Sequence, residues 1–182
     1  MGFMGIYDSV AVMLDTYQNN YFYGDPNGNY IGVNTRGTDF NVPHHFCKGG
    51  VLTSDPTKTP QTDLPGVPCT ADPSLGMTGL LPGLLDDGNV HNLAVVYVPG
   101  TLNVFLDSKD VLTIPKFNFV DTLDLSDGTA FLGFTAGTRF SYQNQDILDF
   151  TITPEPAAGQ LWIPLVMIVG TALSRKWRRN RS

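Results

Sequence analysis

Oxygen-bearing side chains crowd into one short stretch near the start of this chain, DTYQNNYFYGDPNG, residues 15–28. Asp15, Tyr17 and Asn19 stand at alternate positions, the spacing that puts side chains on one side of an extended chain. Asp25 follows beside Pro26, where a tight turn is expected. Carboxylate, amide and backbone carbonyl oxygens are hard ligands of the kind calcium selects. The order is not that of an EF-hand loop, whose D-x-[DN]-x-[DN]-G-x5-E pattern does not occur here. From these residues alone two readings stand: a cation site, or a solvated turn rich in Asp and Asn.

Other chemistry finds less support. Sixteen of the 17 acidic residues are Asp, and Glu155 is the single Glu. Glycoside hydrolysis by a Glu pair is therefore excluded, no G-x-S-x-G elbow occurs, and the chain reads as a non-enzyme. A diverged glycoside hydrolase working through an Asp pair is the least favoured alternative. His44 and His45 are adjacent in a loop, where neighbouring side chains point apart, and they read as solvated rather than as ligands. Cys47 and Cys69 lie outside any CxxC motif, so neither a zinc site nor a thioredoxin motif is supported. They read as a disulfide, worth about 3 kcal/mol through loop closure, or as two unpaired thiols. The first option implies an oxidising compartment.

The elements that must carry these residues are strands. With 19 Gly, 13 Pro and an Asp-dominated acidic set, the composition predicts an all-β protein with elaborate loops. Its 182 residues suit one domain. Strand patterns occur in SVAVMLDT, NYIGVNTRG, NLAVVYVP, LNVFLD, AFLGFTAG and QDILDFTIT, with Gly100 turning a hairpin between the third and fourth. Residues 38–88 read as a long loop insertion, and GLLPGLLDDG within them as a turn or a 3₁₀ piece. The segment 1–153 carries 16 Asp against six basic side chains, a net charge of −10, and such a body repels nucleic acid. The start, MGFMGIYDSV, has neither the basic nor the apolar region of a signal peptide.

Three collinear motifs carry a family resemblance. SVAVMLDTYQN…GDPNGNYIGVNT resembles the metal-binding segment of the legume-type (L-type) lectin domain, which reads V-A-V-E-x-D-T-x-x-N, then D-P, then H-I-G-I. HNLAVVYVPGTLNVFLD resembles that family's paired back-sheet strands, and AFLGFTAGTRFSYQNQDILDFTIT its last loop and strand. The resemblance spans about residues 3–153, with 38–88 poorly matched. It implies a concanavalin-like antiparallel β-sandwich, or jelly roll. It also implies a calcium ion held by Asp15, the Tyr17 carbonyl, Asn19 and Asp25. The family's second, manganese site is expected to be lost, because its Glu is Met13 here and its His is Tyr30. Sugar binding falls to Asn19 and to the loop at Gly137, Thr138 and Arg139. A further sugar-site Asp has no counterpart, so the sandwich reads as incomplete and N-terminally truncated.

The tail resembles a second known element. Pro154, Glu155 and Pro156 precede an apolar run and a basic cluster, the order of the bacterial PEP-CTERM sorting signal. Residues 154–182 are thus expected to be a sorting and anchor segment, with an apolar transmembrane helix over about 161–174 and a basic tail at 175–181; the alternative is a C-terminal core helix or strand with a solvated basic tail. The resemblance implies export to the envelope, a transient membrane anchor and processing by an exosortase. The combined expectation is an exported, calcium-stabilised protein that binds carbohydrate or exopolysaccharide at the cell surface. The alternative is a structural matrix or envelope protein without a working sugar site.

Overall fold

The computed structural model describes residues 2–19, 23–48, 50–54, 68–125, 129–137, 145–154 and 165–172. The strands among them are β1 (Val10–Asp15), β2 (Tyr30–Thr35), β3 (Phe46–Lys48), β4 (Val51–Thr53), β5 (Ser74–Met77), β6 (Val90–Val98), β7 (Gly100–Leu106), β8 (Lys109–Phe117), β9 (Asp146–Pro154) and β10 (Leu165–Ala172). One short helix, α1 (Phe119–Leu123), follows β8 and is capped by the Asn118 side chain, which accepts from the Val120 N–H. Every pairing between these strands is antiparallel. The sheets run β1-β2-β5 and β8-β7-β6-β10-β9, with β3-β4 as a separate hairpin.

Alternation decides which side chains enter the core. Val10, Val12 and Leu14 of β1, Ile31 and Val33 of β2 and Leu75 of β5 face Leu93, Val95, Tyr97, Leu102, Val104, Leu106 and Ile114 of the larger sheet. One apolar core thus lies between the two sheets. Burying a side chain such as Leu102 there contributes roughly 2 kcal/mol. Strand β2 is buried on both faces. Its second face carries Tyr30, Gly32 and Asn34, and opposite them on β1 stand Asp15, Met13 and Ala11. Gly32 has a packing reason: a Cβ there would come within 2.9 Å of the Met13 Cε and 3.2 Å of the Tyr30 ring. Phe3, Met13 and Tyr30 form a second small cluster on this face.

Several expectations change. Residues 38–88 are not one loop, because β3, β4 and β5 lie inside them. β8 and α1 were not expected. Residues 130–137 form no strand, and Phe131 is fully exposed. The helix expected over 161–174 is not found. Leu165–Ala172 is strand β10, inserted between β6 and β9 with Val166 opposite both Val96 and Thr153. The reason lies in residue type. Val166, Ile168, Val169 and Thr171 are β-branched and favour a pleated sheet over a helix. Among the described residues no helix is long and apolar enough to cross a membrane.

Candidate functional site

The end of β1 and the start of β2 bring the acidic residues together. Asp15 and Tyr30 are direct cross-strand partners, so both side chains leave the sheet on the same face. After Asp15 the chain turns back on itself. The Tyr17 N–H donates to Asp15 Oδ1 at 2.9 Å, an Asx-type turn. The Asn19 N–H donates to Asp25 Oδ2 at 2.6 Å, and the Asn19 side-chain amide donates to the Tyr17 carbonyl at 3.0 Å. Asp15, Tyr17, Asn19 and Asp25 therefore form one knot of oxygens, linked through their own backbone. The loop beneath it is pinned by Asn29, whose side chain donates to the Gly83 carbonyl at 2.8 Å and accepts from the Leu85 N–H at 2.9 Å.

The knot is electrostatically unbalanced. Asp15 and Asp25 are both buried, and Asp15 Oδ2 has no hydrogen-bond partner. Burial pushes the Asp15 carboxyl up to about 6. The Tyr17 N–H opposes this, and the neighbouring charge of Asp25 adds to it. An orphaned, buried carboxylate oxygen beside a second carboxylate is what a bound cation would satisfy. The donors present are two carboxylates, an amide and a backbone carbonyl, and these fit calcium. Among the described residues no group of three His, Cys, Asp or Glu side chains is placed to hold a metal ion.

Met13 and Tyr30, expected to end the second ion site, sit beside the knot. Met13 packs against Tyr30 in the small apolar cluster. The Tyr30 hydroxyl donates to Asp25 Oδ1 at 2.8 Å. Burial raises its ionisation well above the ordinary tyrosine range, and the charges of Asp25 and Asp15 raise it further, so it stays a protonated donor.

The reading of His44 and His45 as solvated is corrected: both are buried. His45 Nε2 lies 2.9 Å from the Tyr30 hydroxyl and 3.1 Å from Asp25 Oδ1. Asn34, on the same face of β2 as Tyr30, donates to the carbonyls of Val42 and His44 at 3.1 Å each and so lays this loop across the sheet. The His45 N–H reaches the Tyr23 carbonyl at 3.2 Å. No spacing signal links position 45 to positions 25 and 30. The clue the sequence held was Pro43 and two imidazoles just before a cysteine. Cys47 and Cys69 are joined by a disulfide with Cα atoms 5.9 Å apart, and it ties down the segment that carries His45.

The remaining site residues are partly placed. Gly137 is described and exposed, whereas Thr138 and Arg139 lie outside the described residues. The backbone of Ala136 runs so close to Gly2 that a Cβ at Gly2 would meet it at 2.6–2.8 Å. Phe3 then packs on Met13 and Tyr30, so residues 129–137 connect through the N-terminal segment to the acidic knot. Pro154 closes β9, and Glu155 and Pro156 lie outside the described residues. No protein-family model matches the chain, and comparison with curated proteins and with solved structures returns no match.

Proposed function

We propose that this chain is a calcium-stabilised, non-catalytic carbohydrate-binding protein of L-type lectin character, built on a concanavalin-like sandwich. One observation carries the reading: Asp15, Tyr17, Asn19 and Asp25 meet in a single knot whose buried Asp15 Oδ2 lacks a partner. These four residues would hold one calcium ion. Bound there, the ion neutralises the paired carboxylates and fixes the turn. Asn19 is half-buried, so one edge of its amide stays available to hydrogen-bond a sugar hydroxyl. Gly137, Thr138 and Arg139 belong to the loop that sets selectivity. Shallow polar sites of this kind bind weakly one at a time and gain from multivalency.

The tail extends this reading to the cell envelope. Pro154–Glu155–Pro156 and the basic cluster at 175–181 act as an exosortase-read sorting signal, while Leu165–Ala172 between them pairs in the sheet as β10. The Cys47–Cys69 disulfide is in keeping with an oxidising, extracytoplasmic setting. A second reading, a structural envelope protein without a sugar site, is favoured by the apolar side chains Leu148, Phe150 and Ile152 that β9 leaves exposed. The test is Asn19→Ala in the full chain. On the lectin reading both calcium affinity and glycan binding fall about tenfold or more. Glycan binding by wild type that is indifferent to this substitution overturns the assignment.

A further inference from the structure

Asp25 has two oxygens with different jobs. Oδ2 belongs to the acidic knot, where it accepts the Asn19 N–H. Oδ1 meets two donors, the Tyr30 hydroxyl at 2.8 Å and His45 Nε2 at 3.1 Å. All three side chains are fully buried. The hydroxyl has one proton, and it goes to the carboxylate. His45 must then bring its own proton on Nε2, shared between the Tyr30 oxygen and Asp25 Oδ1. A bare ring nitrogen would set its lone pair against that of the carboxylate. Nδ1 accordingly is left without a partner.

Tyr30 is itself fixed. Its ring lies edge-on to His45, with centroids 5.8 Å apart, and packs against Met13 and Phe3. His45 is held by its backbone, at Tyr23 and at Ser74. These contacts hold Asp25 Oδ1 at Tyr30 and His45 while Oδ2 accepts from Asn19.

We propose that Tyr30 and His45 are positioning residues for the ion site, a hydrogen-bonded brace that orients Asp25 without the help of a second metal. This rests on the calcium reading above and goes beyond it. The residue that the family resemblance marked as a lost ligand gains a role, and His45 joins it from a distant loop. Outer partners of this kind change metal affinity by roughly 10- to 100-fold when removed.

The experiment is calorimetric calcium titration of the full chain, wild type against Tyr30→Phe, His45→Leu and Thr113→Ala, with melting curves in chelator as the check on folding. Wild type binds one calcium, Tyr30→Phe and His45→Leu each bind about tenfold or more weakly, and Thr113→Ala, on the exposed face of β8 away from the knot, binds as wild type does. Each brace variant is read alone, so failure of one to fold leaves the other decisive. If both fail, titration of manganese or zinc into wild type decides: a second ion held by His45 overturns the brace, and its absence supports it. Wild-type affinity in a folded Tyr30→Phe overturns the proposal while sparing the calcium site. No calcium binding by wild type overturns both.

Discussion

Replacing Asp15 by Asn gives a prediction with two opposite signs. In the ion-free fold the Asp15 carboxyl titrates at about 6 against an ordinary 3.8. The unfolded chain therefore gives up this proton first as pH rises. The Asp15 contribution to stability is most favourable below pH 3.8, falls between 3.8 and about 6, and stays low above. At about 1.4 kcal/mol per pH unit, the ionised side chain costs the ion-free fold about 3 kcal/mol at pH 8. Asn keeps an oxygen for the Tyr17 N–H and removes the charge. In chelator at pH 8, Asp15→Asn should melt roughly 6–12 °C above wild type, for a domain of this size. At pH 3.5 that gain should vanish. Calcium reverses the order: wild type at a thousandfold excess over Kd gains about 4.1 kcal/mol, more than the deficit in chelator, and the variant, with one ligand charge gone, gains little. Circular dichroism melts at the two pH values, with chelator and with calcium, read all four states. An Asp15→Asn variant less stable than wild type in chelator at pH 8, or an equal rise of both melting points in calcium, refutes a buried, cation-binding Asp15 carboxylate.

Three further outcomes follow from the fold. Replacing both Cys47 and Cys69 by Ala removes a cross-link that spans 22 residues and should cost about 3 kcal/mol, seen as a lower urea midpoint. His91 bridges Asp107 at 2.8 Å and Asp87 at 3.1 Å. Its pKa is raised, chiefly by the hydrogen bond to Asp107, so its contribution is full below pH 6.5 and fades as pH climbs through the folded value. His91→Ala should thus lower the melting temperature more at pH 5.5 than at pH 9. Leu102→Ala, at a side chain with no exposure between the two sheets, should cost 2–5 kcal/mol by urea titration.

The strands that a reader of the sequence finds are those whose alternation is uninterrupted. In β6 and β7, Leu93, Val95, Tyr97, Leu102, Val104 and Leu106 repeat every second residue, and Pro99–Gly100 turns between them. β8 hides because it lies at the edge of its sheet, where Lys109, Asp110 and Lys116 stay exposed and Pro115 interrupts the run. β5 hides because Gly76 replaces an apolar residue, and a Cβ there would strike Ile114 at 2.6 Å. The AFLGFTAG segment misleads in the other direction, since it joins no sheet and its apolar residues stay exposed, Phe134 meeting the Phe150 ring edge-on. The C-terminal apolar run has no periodicity that separates helix from strand, and its β-branched content was the better guide. At the acidic knot, Asp15, Tyr17, Asn19 and Asp25 were legible because short-range turns bring them together. His45 was not, because its partners are set by where Asn34 lays a distant loop.

Calcium-dependent recognition of carbohydrate is decided by a glycan array probed with the full chain, once in calcium and once in chelator. Binding to a subset of glycans should disappear in chelator and return when calcium is restored. Glycan binding that is unchanged by chelator, or no glycan binding in saturating calcium, rules out a calcium-dependent sugar site.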